Sequence, residues 1–267
     1  MHNTRAFAQV DVFTSEPARG NPVAVVLDSE GLTPEHMQAF TDWTNLSEAT
    51  FVLPPTDSTA DYAVRIFCPG RELPFAGHPT LGTCHAWLAN GGEPKSDVIV
   101  QECGVGLVRI RRGEGSRLSF AAPPLRRSGP LSETELDVLA HGLGLTREQI
   151  VDHQWCDNGP GWQAVLVDSV ETLRTITPDG EVLAGLDVGV VAPSTEQTDF
   201  EVRAFFPGNK GVTEDPVTGS LNAAIAQWLI GSGRAPDSYT ASQGRALGRD
   251  GRVFVERINA DIWIGGD

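Results

Sequence analysis

Three ionisable residues lie in segments whose composition suits a reaction site: Glu48, His78 and Asp215. Glu48 opens an apolar, strand-like segment, so a loop can cover its carboxyl group. Withdrawal from water raises the pKa of a carboxyl and lets it carry a proton near neutral pH. His78 and Asp215 lie in loops that bear Gly and Pro, and we interpret these loops as equivalent. Glu48 alone is a weak candidate, because an acid at the start of a strand is usually solvated.

The same two loops predict a site for an anion. One loop runs through residues 72–80 and the other through residues 214–220, and each precedes a segment without charged residues. Free backbone N–H groups and the helix dipole favour an anion at the start of a helix. If both starts point into one cavity, a substrate carboxylate is the expected occupant. If they do not, the Pro, Thr and Ser residues of the loops only cap the helices.

Nearly the same sequence occurs twice in the chain. Val64–Gly70 and Val202–Gly208 share five of seven residues at an offset of 138. Ala24–Ser29 and Ala164–Ser169 share four of six residues at an offset of 140. A near-constant offset indicates a duplicated unit. Two copies that face each other enclose a cleft, which is the usual place for a ligand.

The elements that must position these residues are mostly strands. Alternating or short apolar runs between Gly and Pro residues predict thirteen of them. They are residues 7–13, 22–27, 50–54, 63–68, 98–103, 106–111, 117–121, 162–167, 188–192, 200–206, 239–243, 252–256 and 261–264.

Two uncharged segments, residues 80–90 and 220–231, predict helices that are enclosed by protein. The predicted fold is therefore α+β. It has two pseudo-symmetric lobes, each a bent, mainly antiparallel and barrel-like sheet around one central helix.

Capping signals predict two further helices. Thr33 followed by Pro34 indicates a helix start, and Met37, Phe40 and Trp43 would form its apolar face. A second helix is predicted to begin after a capping box at Ser132 and Glu135 and to end at Gly144.

A Pro-rich segment, residues 121–130, is the best boundary between the halves. The predicted lobes are residues 1–122 and 123–259. The last strand, in residues 260–267, is a candidate to join the first lobe.

Bulk properties restrict the class of protein. The 267 residues suffice for two compact lobes, and a net charge of −15 argues against nucleic acid and anionic membranes as partners. No apolar run is long enough to span a membrane, and the first residues do not form a signal peptide. Four cysteines without a CxxC pair predict free thiols and a cytoplasmic protein. The histidine spacing predicts no metal site.

Four blocks of this sequence resemble the signature blocks of the phenazine-biosynthesis PhzF-like family. They are residues 20–26, 46–52, 72–82 and 214–220, in the order found in that family. The likeness covers nearly the whole chain. It implies the fold of diaminopimelate epimerase, the homodimer usual in the family, and an isomerase that needs no cofactor and acts on a small carboxylate.

The resemblance also implies roles for individual residues. Glu48 would be the general acid/base, with His78 and Asp215 positioning substrate and assisting proton movement. Substrate binding would fall to Ser47, Gly77, Gly219 and Ser220. Related two-cysteine epimerases carry a thiol in each helix-start loop, whereas this chain has Ala76 in the first loop and no cysteine in the second. Leu221 and Asn222 stand where the family commonly has small residues, which puts the phenazine precursor itself in question as the substrate.

The sequence thus predicts an isomerase that moves a proton, and double bonds with it, in a small cyclic or unsaturated carboxylic acid. Two alternatives stay open. One is an epimerase or racemase without catalytic cysteines that uses Glu48 with Asp215 or His78 as opposing bases. The other is a non-catalytic protein that binds a small molecule or a partner on the same scaffold.

Overall fold

The computed structural model describes residues 4–208 and 211–267, in which sixteen strands and five α-helices are formed. The strands are β1 Phe7–Val12, β2 Asn21–Val26, β3 Ala49–Leu53, β4 Tyr62–Cys68, β5 Arg71–Leu73, β6 Val98–Cys103, β7 Gly106–Arg112, β8 Leu118–Ala121, β9 Ile150–Asp157, β10 Gly161–Val167, β11 Asp187–Pro193, β12 Phe200–Gly208, β13 Gly211–Glu214, β14 Ser238–Gln243, β15 Gly251–Ile258 and β16 Asp261–Gly266. The helices are α1 Pro34–Thr44, α2 Gly77–Ala89, α3 Glu133–Leu143, α4 Val170–Thr175 and α5 Gly219–Gly231.

One continuous sheet contains all of these strands, and its order repeats. The path β1-β2-β3-β4-β6-β7-β8 is followed by β16-β15-β14-β12-β11-β10-β9, with β5 attached to β4 and β13 attached to β12. Parallel pairing recurs at matching places, β2–β3 with β10–β11 and β4–β6 with β12–β14. The remaining pairings of these strands are antiparallel, which confirms the predicted α+β class with a mainly antiparallel sheet. Every predicted strand segment overlaps an observed strand.

The last strand links the two halves. β16 pairs with β15 on one side and, antiparallel, with β8 on the other. The C-terminal segment thus contacts the first half, as the sequence allowed. A division into two lobes at residue 122 stays a prediction, because the strand ladder runs across the junction without a break.

The two uncharged helices lie inside the molecule. α2 packs against β1, β2, β3 and β8, and α5 packs against β9, β15 and β16. The hydroxyl of Thr83 on α2 donates to the hydroxyl of Thr50 on β3 over 2.8 Å. On α5, Leu221 fills the space above Gly189, where a Cβ atom would lie 2.5 Å from its side chain. α5 needs apolar or small side chains nearly all round, and α2 needs them up to its last turns, where His85 and Ala89 are exposed. This burial explains the absence of charged residues.

Both central helices begin earlier than predicted, at Gly77 and Gly219. Pro79 is accommodated in the first turn, where its missing N–H costs nothing. His78 therefore belongs to a helix and not to the preceding loop. Asp215 stays in the loop before the second helix, and the residue of that helix that corresponds to His78 is Ser220.

The capping signals predicted α1 and α3 with one error, and α4 was not predicted. The side chain of Thr33 caps α1, and the Ser132–Glu135 capping box opens α3. Met37 is buried beneath α1, but Trp43 is 76% exposed, so its place in the apolar face was wrong. The sequence missed β5 and β13, which are too short to show a period, and β9, whose middle is polar. No helix in the described part of the chain is long and apolar enough to cross a membrane.

Candidate active site

The starts of the two buried helices touch each other. A Cβ atom placed on Gly77 would lie 2.5 Å from the Cα atom of Gly219, and one placed on Gly219 would lie 2.8 Å from the Cα atom of Gly77. Both partners are backbone atoms, so neither residue can carry a side chain without moving a helix. The two positive helix ends therefore meet at one point, as the matched loops predicted.

A cavity of about 90 Å³ opens beside this contact. Its walls come from both halves of the chain and include the predicted residues Glu48, His78, Asp215, Gly77, Gly219 and Ser220. Ser47 is half-buried and is not among the wall residues, so its assignment to substrate binding stays a prediction. Leu221 and Asn222 are also absent from the walls, so they do not narrow the cavity.

Glu48 and His78 face each other at the edge of the cavity. Oε2 of Glu48 is 3.2 Å from Nε2 of His78, and the side chains are 15% and 3% exposed. The atoms are within contact distance, yet neither has a well-aligned hydrogen bond to any described residue. Catalytic hydrogen bonds are often this loose before substrate binds. A small rotation of either side chain would align them.

The contact with Asn21 determines which nitrogen of the His78 ring carries the proton. Its side-chain nitrogen donates to Oδ1 of Asp215 and to the carbonyl of Val217, each over 2.9 Å, so it must be an NH₂ group. The same nitrogen is 3.2 Å from Nδ1 of His78. An NH₂ group cannot accept a hydrogen bond, so Nδ1 is the unprotonated nitrogen of the ring. The ring proton is thus assigned to Nε2, the ring nitrogen that lies 3.2 Å from Oε2 of Glu48.

Asp215 is held by side chains of its own half. The hydroxyl of Thr218 donates to its Oδ2 over 2.6 Å. Nε2 of Gln243 donates both to this hydroxyl, over 2.9 Å, and to the backbone carbonyl of Asp215, over 3.2 Å. Oε1 of Gln243 in turn accepts from the side chain of Asn222 on α5. These bonds leave Asp215 little freedom to move.

Burial sets the proton affinities of this network. It raises the pKa of Glu48 well above its ordinary value, and the negative charge of Asp215 adds to the effect. It raises the pKa of Asp215 to about 6, although the bonds from Thr218 and Asn21 oppose the shift. It lowers the pKa of His78 to about 3. At neutral pH the ring of His78 is uncharged and lies between two carboxyl groups of unequal proton affinity.

The helix starts supply donors for an anion beside this network. The first N–H groups of α2 and α5 have no partner within their own helices. The indole of Trp162 donates to the hydroxyl of Ser220 over 3.1 Å, and the side chain of Asn158 donates to its carbonyl over 2.8 Å. Ser220 therefore keeps its own hydroxyl proton for a ligand. The arrangement can bind a carboxylate next to a proton carrier.

Sequence reasoning missed several residues of this site. Asn21 lies inside one of the blocks that carry the family resemblance and Thr218 inside another, so their place in the sequence was the available signal. Asp187, Arg71 and Cys68 also line the cavity. No group of three or more metal-ligating side chains is arranged around a common point in residues 4–208 and 211–267, and independence of metals stays a prediction.

The fold and this junction of helices define the class of protein. The solved structure of a predicted epimerase of Pseudomonas aeruginosa, PA4716, matches with a TM-score of 0.81 and 26% identity, over 98% of this chain and 95% of that one. The diaminopimelate epimerase-like fold that the sequence predicted is confirmed.

The chain belongs to the PhzC-PhzF family of phenazine biosynthesis-like proteins, whose model matches residues 10–262. It is 35% identical to antisense-enhancing sequence 1 of Schizosaccharomyces pombe, over 96% of this chain and 90% of that protein. It is 34% identical to the trans-2,3-dihydro-3-hydroxyanthranilate isomerase of Pseudomonas aeruginosa, over 95% of this chain and 93% of that protein. The chain is an enzyme of the isomerase class, as the sequence predicted.

Proposed function

We propose that this enzyme moves a proton within a small carboxylic acid, without a cofactor, and that Glu48 carries the proton. One observation supports this most directly. A buried carboxyl group lies 3.2 Å from a neutral imidazole, in a cavity at the point where two helix starts meet. The helix starts would hold the carboxylate of the substrate and Glu48 would act on a neighbouring carbon.

His78 and Asp215 act through Glu48 and the substrate. After a small rotation, the ring N–H of His78 donates to Glu48 and stabilises its ionised form, so that Glu48 can accept a proton from carbon. The high pKa of Glu48 then makes it a strong enough base to remove that proton. Asn21 joins His78 to Asp215, so all three ionisable groups form one network. This connection argues against either His78 or Asp215 as an opposing base.

The walls of the cavity favour a flat, unsaturated acid. Trp162 and Phe206 contribute apolar surface, and Gly77 and Gly219 leave the helix N–H groups accessible. The relative in Pseudomonas aeruginosa is named as an isomerase of trans-2,3-dihydro-3-hydroxyanthranilate, which is a cyclic amino acid of this kind. That compound is the first substrate to test. A panel of other cyclic and unsaturated acids, with and without an amino group, should follow.

The decisive experiment is Glu48→Gln, assayed by proton NMR in D₂O. We expect the wild type to exchange a carbon-bound proton and shift a double bond, and the variant to lose about 100- to 10,000-fold in rate. Glu93→Gln, at an exposed loop position, is the matched control and should behave as the wild type. Wild-type rates in Glu48→Gln would remove Glu48 from the mechanism.

The same spectra separate the alternatives. Inversion at one carbon without movement of a double bond would indicate an epimerase. A ligand that binds and is recovered with all its protons would indicate a binding protein. We further expect a homodimer, as the family resemblance implies, and a cytoplasmic location, as the free cysteines predict. Size-exclusion chromatography with light scattering measures the assembly, and cell fractionation measures the compartment.

A further inference from the structure

Strand register identifies the counterpart of Glu48 in the second half. In the first half, Ala49 of β3 pairs with Phe67 of β4, and Glu48 precedes that pair by one residue. In the second half, Val188 of β11 pairs with Phe205 of β12. Phe67 and Phe205 are the same position of the repeated sequence, 138 residues apart. The residue that precedes the second pair by one is Asp187.

Side-chain direction agrees with this assignment. Two residues after Glu48, Thr50 faces the central helix of its half and bonds to it through its hydroxyl. Two residues after Asp187, Gly189 faces the other central helix and lies against its Leu221 side chain. Alternate residues of a strand point to the same side. Glu48 and Asp187 therefore both point toward the central helix of their own half.

Both carboxyl residues line the same cavity, and so do the residues next to them on the neighbouring strands, Cys68 and Phe206. Cys68 and Phe206 are also equivalent positions of the repeat. The contact between the two helix starts lies between the two halves. Besides Asp215, the cavity thus receives one carboxyl group from this register position of each half, on either side of the place where the helix N–H groups would hold a carboxylate.

The surroundings of Asp187 suit a group that holds and releases a proton. Burial raises its pKa, and the attraction of Arg71 and a bond from the backbone N–H of Gly161 only partly oppose this, while the charge of Asp157 adds to it. Asp187 lies beside Trp162 in the parallel ladder of β10 and β11, so its position is set by the sheet. It is half-buried and therefore still within reach of solvent protons.

We propose that Asp187 is a second proton-carrying carboxyl group of this site and meets the substrate from the side opposite to Glu48. The inference rests on the proposed function. The reacting form of the enzyme has Glu48 ionised and Asp187 protonated. In this form, Glu48 removes a proton from one carbon, and the electron pair left behind is delocalised toward the substrate carboxylate. The carboxylic acid of Asp187 then gives its proton to the carbon that receives it. Glu48 ends protonated and Asp187 ends ionised, and exchange with water restores both.

The test uses the full chain with trans-2,3-dihydro-3-hydroxyanthranilate and the panel of acids named above, in D₂O. Asp187→Asn should lower turnover by about 100-fold or more, the contribution typical of one acid/base group. It should still exchange the proton that Glu48 removes. Glu48→Gln should lose both exchange and turnover. Asp187→Glu, which keeps a carboxyl group, should recover at least about a tenth of wild-type turnover.

Asp168→Asn is the matched control, because Asp168 is exposed at the end of β10 and lies outside the cavity walls. Thermal unfolding shows whether each variant is folded. If Asp187→Asn does not fold, Asp187→Ser replaces it with the same two expected results.

Three results would overturn the inference. The first is turnover of the Asp187 variant within about threefold of wild type, far less than an acid/base group contributes. The second is a wild-type product of a single turnover in D₂O that keeps the substrate's own hydrogen at the receiving carbon. With Glu48→Gln inactive, either result removes Asp187 and leaves the proposed function intact. The third is a wild type that exchanges no carbon-bound proton in any acid, which overturns the proposed function and this inference together.

Discussion

The two halves of the molecule present the same backbone to the cavity and place different side chains on it. At the second residue of the central helix, the first half has His78 and the second half has Ser220. His78 faces Glu48, whereas Ser220 accepts a hydrogen bond from the indole of Trp162. At this helix position, the first half thus has an imidazole that faces a proton-carrying carboxyl group. The second half has a hydroxyl group that binds an indole and does not titrate.

In the loop before each helix, it is the second half that has the ionisable residue. Leu73 follows Glu72 at the end of β5, and Asp215 follows Glu214 at the end of β13. Register makes the two acidic residues equivalent, because Glu72 pairs with Phe67 and Glu214 pairs with Phe205. A half-buried apolar position of the first half, Leu73, therefore corresponds to a buried carboxyl group, Asp215, in the second. The duplication provides a frame, and the chemistry arises where the copies differ.

The largest effect is expected where the copies touch. Gly77→Ala would bring a Cβ atom to 2.5 Å from the Cα atom of Gly219, against backbone that cannot yield. We expect a loss of about 4 kcal/mol or more in the free energy of unfolding, or failure to fold. Urea denaturation measures this.

Gly231→Ala is the control for that substitution. Gly231 ends α5, and an added Cβ atom there would meet no atom within 4 Å. Alanine also has the higher helix propensity, so the free energy of unfolding should stay the same or rise by up to about 1 kcal/mol. Equal losses from the two substitutions would show that the helix starts are not in contact.

The second prediction compares an ion pair that both halves contain. Arg65 binds Glu72, and Arg203 binds Glu214, each through two hydrogen bonds. The first pair is 30% and 41% exposed and the second is 9% and 11% exposed. Arg203→Ala leaves a buried carboxylate unpaired and should cost about 3 kcal/mol of unfolding free energy. Arg65→Ala should cost less than about 1 kcal/mol.

Arg203 also donates to the carbonyls of Leu173 and Ile176 at the end of α4, which adds to the expected difference. Both variants can be measured by the same denaturation experiment, and each arginine lies over the phenylalanine two residues after it, so the lost packing is matched. Similar costs for the two substitutions would contradict the difference in burial.

Much of the fold could be predicted from the sequence, because the duplication makes the pattern of an element appear twice in the chain. The repeated block around Phe67 and Phe205 located both strands, and the absence of charge located both central helices. The first turns were missed because Gly77 and Gly219 are poor helix formers. These glycines are required by the contact between the two helices, and sequence alone does not show that contact.

The site was predicted less completely than the fold. Glu48, His78 and Asp215 were identified, but the group that joins His78 to Asp215 was not, because Asn21 lies far from both along the chain. Asp187 was missed for another reason. It lies 139 residues after Glu48, within the range of the repeat offset, but its neighbours in sequence are unlike those of Glu48. Only strand register makes the two positions equivalent.

The third prediction concerns the contribution of Asp215 to the pH dependence of the free energy of unfolding. Burial raises the pKa of Asp215 from 3.8 to about 6, so the folded protein binds this proton more tightly than the unfolded chain. The contribution is therefore present at low pH and is lost as pH rises through the folded pKa. Between pH 4 and pH 6.5 it should fall by about 2 kcal/mol.

Asp215→Asn removes this contribution, so the measurement is the difference in unfolding free energy between wild type and variant at each pH. His78 and Glu48 titrate in both proteins, and burial, the larger cause of the Glu48 shift, is unchanged. The difference should favour the wild type more at pH 4 than at pH 6.5. A difference that does not vary with pH would show that Asp215 is not buried as a carboxyl group.

The smallest effect on the free energy of unfolding is expected at Ser220, whose side chain carries no charge. Ser220→Ala removes the acceptor of the Trp162 indole, 3.1 Å away, and should lower the free energy of unfolding by about 1 kcal/mol. Ser232→Ala, just past the other end of the same helix, loses only a half-buried bond of 3.3 Å and should cost less.

The NMR signal of the Trp162 indole N–H reports the same contact without unfolding the protein. It should shift in Ser220→Ala and not in Ser232→Ala, and it should shift again when an acid of the panel binds to the wild type. If ligand leaves this signal unchanged, the carboxylate does not bind at the start of the second helix. Ser220 would then serve to hold Trp162 in the cavity wall and not to bind the substrate. Its difference from His78 would lie only in the absence of a group next to a proton-carrying carboxyl.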